Sequence, residues 1–241
     1  MEEQMRVLIT GAAGKIGSVL VEGLKDRYRL RGFDRVEMPD LEDHLVGDVA
    51  DFDAVLKATE GMEAVIHLAA VPTGAAPWEE ILHNNIIGTY NVFEASRRNG
   101  VRRIAFASRA GVLSPYPREL IRTADMVPRP DSYYSISKVF GENLGFMYAS
   151  RYGMEVVCVR IGNFPASGRY PKGTQVSNIG SFLSHRDAVH LFEQCIIQPG
   201  IQYEVVFGVS NNSPCRYDIE YARKILGYHP VDRMQDFIET E

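Results

Sequence analysis

The chain has 241 residues, of which 45% are hydrophobic and 24% charged, and its formal net charge at pH 7 is −5. This composition fits one or at most two globular domains with a full core, and the lack of a basic stripe argues against a nucleic-acid partner. The apolar runs fall far short of the ~18 residues of a membrane span, and the acidic N-terminus lacks the apolar core of a signal peptide.

The cysteines and histidines are few and widely spaced. Cys158, Cys195 and Cys215 form neither a disulfide framework nor a metal-ligand pattern, which favours buried thiols in a reducing cytosol. No two histidines have the H-x-x-x-H or H-E-x-x-H spacing of a metal site. The sequence therefore predicts a cytoplasmic protein without a metal centre.

Apolar runs alternate with helical patterns along almost the whole chain. The predicted strands are 6–10, 29–33, 44–46, 64–67, 103–107, 155–160 and 203–207. The predicted helices are 15–25, 51–59, 78–99, 134–152, 185–198 and 218–226. Strands that alternate with helices of this length predict βαβ units and a mainly parallel α/β sheet, doubly wound, with helices on both faces.

The first predicted strand ends in a glycine-rich turn, G-A-A-G-K-I-G. Gly11 lets the chain turn sharply, Gly14 lets a pyrophosphate approach the backbone, and Gly17 lets the helix pack close to the sheet. The helix N-terminus then offers free N–H groups and a partial positive charge to phosphates. The motif alone is weak, since ordinary glycine-rich turns share its spacing. The predicted dinucleotide site also includes Ala13, Lys15 and Ile16.

The second predicted strand leads to Asp34, which stands 17 residues after Gly17. An acid there accepts hydrogen bonds from both ribose hydroxyls of NAD and repels the 2′-phosphate of NADP. Arg35 follows and is able to pair with such a phosphate, so the sequence favours NAD without proving it. A plain turn residue is the alternative for Asp34. After the third strand, Asp48 and Val49 are placed to reach the adenine.

A buried strand over 64–67 ends in a small-residue turn. Leu68, Ala69 and Ala70 let a cofactor lie close against the backbone. His67 ends an apolar strand without an acid nearby in sequence, which favours a structural histidine over a base. Asn85 stands in mid-helix, where an amide is costly unless it bonds something. The alternatives for Asn85 are that it bonds a neighbouring strand, that it holds a water near a catalytic lysine, or that it faces solvent. We include it among the predicted cofactor contacts.

Tyr134 and Lys138 stand four residues apart at the start of a periodic helix, so both project from one face. A free tyrosine has a pKa of about 10 and is a poor base near neutrality. A lysine ammonium one turn away, with a nicotinamide cation, favours the phenolate and lowers that pKa. Tyr134 is then able to take a proton from an alcohol whose carbon gives hydride to NAD. A tyrosine and a lysine four residues apart are common by chance, and this spacing indicates catalysis only within a Rossmann pattern.

Proline and glycine cluster over 162–180, where the helical and strand periodicity disappears. A loop of this length inside a compact domain is usually functional or mobile. It follows the sixth predicted strand, at the carboxyl edge of the sheet, where α/β folds bind ligands. We therefore interpret it as the lid or wall on the substrate side.

These motifs together resemble the extended short-chain dehydrogenase/reductase superfamily, the NAD-dependent epimerases and dehydratases, from about residue 5 to about 230. Within it, stretches 81–97, 128–148, 159–165 and 181–189 are similar to uronate dehydrogenases, which oxidise galacturonate and glucuronate to aldarolactones. The resemblance implies a Rossmann sheet of about seven strands and NAD as cofactor. It also implies Tyr134 as acid/base, with Lys138 as its activator and ribose ligand. We expect a single domain over 1–241, with an NAD-binding core over 1–160 and a small substrate-side portion over 161–241.

The sequence departs from the family pattern at the positions that face the substrate. The serine or threonine that stands 25 residues before the catalytic tyrosine is Arg109 here, and Ala110 and Gly111 follow it where uronate dehydrogenases have Asn-His. Two further serines of those enzymes are Pro72 and Asn163 in this chain. These five residues are the predicted substrate contacts, and Arg109 with Ser108 completes the catalytic candidates. Ala107, Ser108 and Ile161 complete the predicted cofactor contacts together with Tyr134 and Lys138.

The motifs predict an NAD-dependent oxidoreductase that acts on a sugar or sugar acid. One alternative is a sugar-nucleotide epimerase or dehydratase, which the short C-terminal portion disfavours. Another is an NAD-binding protein with little catalysis, which Arg109 supports and the retained Tyr134 and Lys138 oppose. Apolar faces on helices 78–99 and 134–152 predict a homo-oligomer.

Overall fold

The computed structural model describes residues 4–171 and 180–238. Seven parallel strands form one sheet in the order β3-β2-β1-β4-β5-β6-β7. The strands are β1 Arg6–Thr10, β2 Arg29–Asp34, β3 His44–Val46, β4 Ala64–His67, β5 Arg103–Arg109, β6 Glu155–Ile161 and β7 Tyr203–Gly208. The order reverses between β1 and β4, which opens a crevice at the carboxyl ends of the strands.

Helices cover both faces of the sheet, and the predicted doubly wound α/β fold is confirmed. The helices are α1 Lys15–Leu24, α2 Phe52–Thr59, α3 Trp78–Glu80, α4 Gly88–Arg98, α5 Tyr133–Tyr152, α6 His185–Ile197 and α7 Glu220–Leu226. Successive side chains of a strand point to opposite faces, so Val7 and Ile9 join the core beneath α1 and α6. Leu8 joins the core beneath α2, α4 and α5. β1 thus contributes to two cores, one on each face of the sheet.

The long helix predicted over 78–99 contains an irregular segment. A π-helical stretch, Ile81–Ile87, joins α3 to α4. Such a stretch inserts an extra residue into the helical turn and is often found at functional sites. Here it brings Asn84 and Asn85, both buried, to the side of the helix that faces the end of β4. The hydrophobic pattern predicted the helix but not this change of pitch.

The loop predicted over 162–180 is described as far as residue 171 and again from residue 180. Asn163 forms an isolated parallel bridge with Phe182, and Tyr170 forms another with Ile238. The first bridge joins the two ends of the loop, and the second holds it against the C-terminal part of the chain. Residues 172–179, which carry much of the predicted lid, lie outside the described residues, so the lid stays a prediction.

Candidate active site

A cleft of about 740 Å³ opens at the carboxyl edge of the sheet. It brings together residues from the turns after β1, β2, β3, β4, β5 and β6 with the start of α5. The predicted site residues that line it are Gly11, Ala13, Gly14, Lys15, Ile16, Gly17, Asp34, Arg35, Val49, Leu68, Ala69, Ala70, Pro72, Ala107, Ser108, Arg109, Ala110, Gly111, Tyr134, Lys138, Ile161 and Asn163.

The glycine loop leaves no room for side chains. Gly11 has a φ of +72°, and a Cβ on it would lie 2.7 Å from the backbone nitrogen of Ala69. A Cβ on Gly17 would lie 2.1 Å from the carbonyl oxygen of Gly11. Gly14 caps α1 without a side-chain hydrogen bond, so the first N–H groups of the helix are open to an anion. This cradle fits the pyrophosphate of a dinucleotide.

The Asp34 carboxylate is fixed beside the glycine loop. It accepts hydrogen bonds from the backbone N–H of Ala13, at 3.0 Å, and from that of Arg35, at 2.7 Å. Asp34 therefore lies at the end of β2 where the adenosine ribose of a dinucleotide belongs. Arg35 lines the same end of the cleft, where its charge favours the 2′-phosphate of NADP that Asp34 repels.

Asp48 is not among the residues that line the cleft, and its predicted contact with the adenine stays a prediction. Its carboxylate accepts a hydrogen bond from the backbone N–H of Ala50 at 2.9 Å and lies 3.1 Å from Nε2 of His83. The carboxylate is thus engaged with its own turn and with the π-helical stretch. Its neighbour Val49 does line the cleft.

Asn85 bonds the turn after β4, while its predicted contact with the cofactor stays a prediction. Its side chain is 1% exposed, and its amide bonds both the N–H and the carbonyl of Val71, at 2.8 and 3.2 Å. It also donates to the Ser137 hydroxyl at 3.0 Å. Asn85 therefore joins the turn after β4 to α5, while Asn84 reaches the cleft.

His67 is a buried structural residue in this arrangement. Its ring nitrogens lie 2.7 Å from the Thr10 hydroxyl and 3.2 Å from the Thr89 hydroxyl. A neutral imidazole has one donor and one acceptor nitrogen, which two hydroxyls satisfy. Burial, reinforced by the charge of Lys138, lowers the pKa of His67 to about 3. These contacts agree with the structural role that the sequence favours.

Tyr134 and Lys138 lie in the first two turns of α5. The Ser132 hydroxyl caps this helix by accepting from the N–H of Ser135 at 3.2 Å. Lys138 is 3% exposed, and its Nζ lies 5.6 Å from the centroid of the Tyr134 ring. Burial raises the pKa of Tyr134 while the charge of Arg109 opposes that rise. Burial outweighs the charge of Arg109 at this phenol, and the lowered pKa expected from Lys138 together with a nicotinamide cation stays a prediction.

Burial affects Lys138 in the opposite direction. It lowers the pKa of the ammonium to about 7, and the charge of Arg109 acts in the same direction. Burial disfavours the charged form of each group, so a buried amine loses its proton more readily and a buried phenol less readily. The pKa values of the tyrosine and the lysine are thus shifted in opposite directions, and perturbed pKa values of this kind are typical of catalytic groups.

Arg109 lies against Tyr134 at the end of β5. Its Cζ is 5.0 Å from the centroid of the tyrosine ring, and its Nη1 donates to the Ser135 hydroxyl at 3.0 Å. Arg109 is half-buried, and among the described residues its guanidinium pairs directly with no acid. It stands beside the tyrosine at the position where the family pattern has a hydroxyl.

The catalytic role of Ser108 stays a prediction, and its hydroxyl is engaged by a neighbouring carboxylate. Its hydroxyl donates to the Glu142 carboxylate at 2.6 Å. Arg160 donates to the same carboxylate through two nitrogens, each at 2.9 Å. Neighbouring side chains of a strand point to opposite faces, so Ser108 and Arg109 cannot both face the cleft with their side chains. The Ser108 hydroxyl thus belongs to a buried network that joins β5, α5 and β6.

Several residues that line the cleft were missed by the sequence analysis. They are Phe33, Val36, Gly47, Asn84, Ser114, Gly162, Phe164, Ser181 and Tyr217. Ser114 follows Gly111 closely, so proximity to the substrate motif was a signal for it. Tyr217 had no such signal, since it reaches the cleft only through the packing of the C-terminal segment. Within the described part of the chain, no group of three or more potential ligands is placed to hold a metal ion, and no helix is long and apolar enough to span a membrane.

Residues 7–189 match the family model described as the NAD dependent epimerase/dehydratase family. The chain belongs to this family. The match covers more than half of the chain, including the glycine loop, Asp34, Tyr134 and Lys138, and it confirms the predicted family and its NAD cofactor. A family of epimerases, dehydratases and related enzymes does not by itself fix one reaction.

Individual relatives of this family cover nearly the whole chain. An NAD-dependent glucose-6-phosphate dehydrogenase of Haloferax volcanii is 38% identical over 252 residues, covering 96% of this chain and 95% of its own. A uronate dehydrogenase of Pseudomonas syringae is 39% identical over 237 residues, covering 96% and 84%. The structure of a uronate dehydrogenase variant from Agrobacterium tumefaciens complexed with NAD is similar with a TM-score of 0.89 at 34% identity, covering 98% and 88%. The predicted likeness to uronate dehydrogenases is thereby confirmed.

Proposed function

We propose that this protein is an NAD-dependent dehydrogenase that oxidises an alcohol carbon of a sugar or sugar acid. The observation that carries this proposal is that Tyr134 and Lys138 line the same cleft as the glycine loop and Asp34. A cofactor held at the loop and at Asp34 extends along the carboxyl ends of the strands. Its reactive end then lies towards α5.

The chemistry assigns separate tasks to the two residues of α5. Bound NAD supplies the hydride acceptor. Tyr134 accepts the proton of the substrate hydroxyl, a step of general base catalysis worth about 10²–10⁴ in rate. Lys138 holds the ribose and, when protonated, favours the tyrosine phenolate through its charge. Its position 5.6 Å from the ring centroid supports that second task.

Arg109 supplies a donor near Tyr134 in place of a serine hydroxyl. A guanidinium is always charged and carries five N–H donors in a planar fork. We propose that Arg109 donates a hydrogen bond to the reacting oxygen of the substrate or to a neighbouring group of the substrate. Its contact with Ser135 holds it beside the tyrosine, which keeps these donors on the substrate side of the cleft.

The relatives support oxidation of a sugar rather than another reaction of the family. Those reported above are dehydrogenases of glucose 6-phosphate and of uronates. This chain covers at least 84% of the length of each of the two curated relatives. The similarity therefore includes the part of the chain that forms the substrate end of the cleft.

One observation favours a second candidate, an NAD-binding protein with weak catalysis. The Ser108 hydroxyl faces Glu142, and Arg109 occupies the family's serine position. The direct experiment offers aldoses, uronates and sugar phosphates with NAD and follows NADH absorbance. Reduction of NAD by at least one substrate is the expected result. NAD binding without reduction by any member of the panel would favour the second candidate.

A further inference from the structure

The Arg109 side chain is held in place by its neighbours rather than extended freely. A Cβ on Gly111 would lie 2.3 Å from Nη2 and 2.5 Å from Cζ of Arg109. Because contacts this short do not occur, the guanidinium occupies this position only with glycine at 111. Ser135 and the Tyr134 ring hold its other side. The sequence Arg109-Ala110-Gly111 thus fixes a cation at the substrate end of the cleft before any substrate binds.

Most donors of Arg109 have no protein acceptor within the ranges 4–171 and 180–238. One of the five N–H groups donates to the Ser135 hydroxyl, which in turn donates to Asp131 at 2.8 Å. Among the described residues that line the cleft, Asp34 is the only acid, and it lies at the ribose end. The segment 172–179 contains no acidic residue in its sequence. Within the part of the chain that the structure describes, no carboxylate lining the cleft therefore neutralises the cation.

A second guanidinium lies behind the wall of the cleft. Arg122 is 5% exposed and donates to the carbonyls of Leu113, Leu120 and Tyr116. Its Cζ lies 5.7 Å from the ring centroid of Tyr217, which lines the cleft. Carbonyl dipoles satisfy its donors but leave its net charge in place. A charge buried this way is screened less by solvent than a surface charge, so it adds to the positive potential of the cleft.

We propose that the substrate end of the cleft is an oxyanion site, in which Arg109 binds a phosphate or carboxylate group carried by the sugar. A guanidinium fork matches the oxygens of either group and forms two parallel hydrogen bonds. A neutral sugar leaves this cation without a partner, whereas an anionic sugar neutralises it. The inference rests on the proposed function for the sugar part of the ligand, while the anion site itself is tested by binding.

The test measures binding to the full chain loaded with NADH, so that no oxidation occurs. Isothermal titration calorimetry with glucose 6-phosphate, glucuronate and glucose gives three dissociation constants. We expect at least one anionic sugar to bind about tenfold or more tightly than glucose, as charge-assisted hydrogen bonds allow. The comparison of phosphate with carboxylate identifies which anion the site prefers.

Three variants separate the charge of Arg109 from its placement. Arg109→Gln removes the charge and should reduce the ratio of anionic to neutral sugar affinity about tenfold. Arg109→Lys keeps the charge but loses the planar fork, so the ratio should fall by less. Gly111→Ala leaves the charge intact but displaces the guanidinium, so the ratio of anionic to neutral sugar affinity should fall below that of wild type. Arg29→Gln is the matched control, because Arg29 is exposed at the opposite edge of the sheet.

The outcomes distinguish this inference from the proposed function. NADH binding by each variant shows that it is folded. The oxyanion site is overturned if wild type binds no anionic sugar more tightly than glucose. It is equally overturned if Arg109→Gln leaves the affinity ratio within the range of the Arg29→Gln control. If anionic sugars bind through Arg109 but are not oxidised with NAD, the anion site stands and the proposed dehydrogenase activity fails.

Discussion

The guanidinium of Arg109 lies over the ring of Tyr134, with Cζ 5.0 Å from the ring centroid. Burial raises the pKa of Tyr134, and Arg109 opposes that rise. Burial and the charge of Arg109 together lower the pKa of Lys138 to about 7. Arg109 therefore favours the phenolate while it disfavours the ammonium next to it. In this chain the tyrosine has a permanent cation beside it as well as a lysine that titrates near neutrality.

Asp34 should set the preference for NAD over NADP. Its carboxylate is fixed by the backbone of Ala13 and Arg35, where it repels a 2′-phosphate. We expect Asp34→Ala to narrow the ratio of the two dissociation constants about tenfold, measured by fluorescence titration with the reduced cofactors. Asp26→Ala, an exposed acid beyond the end of α1, is the control. Tighter binding of NADP than NAD by the wild type would refute the assignment.

His67 should make the folded state sensitive to acid. Its pKa falls from 6.5 to about 3 on folding, so below pH 6.5 the unfolded chain takes up a proton that the folded chain refuses. Its contribution to stability is complete above pH 6.5 and is lost as the pH falls towards 3. We expect His67→Asn to be less stable than wild type at pH 7 and the difference to shrink by pH 4. Urea unfolding at several pH values measures this, and a difference that is constant with pH would contradict it.

The buried network of Ser108, Glu142 and Arg160 should stabilise α5 against the sheet. Removing one partner of a buried ion pair leaves the other charge unpaired and costs about 3–5 kcal/mol. We expect Glu142→Gln to approach that loss and Ser108→Ala to cost about 1–2 kcal/mol, measured by urea unfolding. Ser108→Ala should keep most of the turnover with a good substrate. A loss of turnover as large as that of Tyr134→Phe would show instead that Ser108 is catalytic.

A homo-oligomer paired through the long helices stays a prediction. On these helices, large apolar side chains such as Trp78, Tyr133, Phe146 and Tyr152 are 41%, 52%, 56% and 44% exposed. An oligomer that buries this surface removes apolar area from water. Light scattering after size-exclusion chromatography should give at least a dimer mass. Phe146→Glu should shift that mass towards the monomer, and a wild-type monomer would rule the pairing out.

Most of the fold was predictable because the apolar pattern of the chain changes period at each element. The first strand, the glycine turn and α1 agree with the sequence to within one residue. The helix predicted from 51 begins at Phe52, because the Asp51 side chain accepts from two N–H groups and acts as the cap. The π-helical stretch was not predictable, since the hydrophobic pattern is compatible with both helical pitches.

The candidate site was predictable where one short motif carries the chemistry. The glycine loop and the pair Tyr134 and Lys138 are local patterns, and they meet in the cleft. The direction of the Ser108 hydroxyl was accessible from strand alternation, but its partners Glu142 and Arg160 come from other elements. Tyr217 lines the cleft from a segment far along the chain, which only the tertiary packing reveals.

The central claim is that Tyr134 is the base in NAD-dependent oxidation of a sugar. Tyr134→Phe removes the phenolic oxygen and preserves the ring, so kcat should fall by about 10²–10⁴ while the dissociation constant for NADH changes little. Lys138→Met is the companion variant. It should lower kcat and also raise the dissociation constant for NADH, since Lys138 is proposed to hold the ribose. The decisive measurement is therefore kcat of Tyr134→Phe with the best substrate, alongside its affinity for NADH. The account predicts lost turnover with intact cofactor binding, and turnover equal to that of wild type would contradict it.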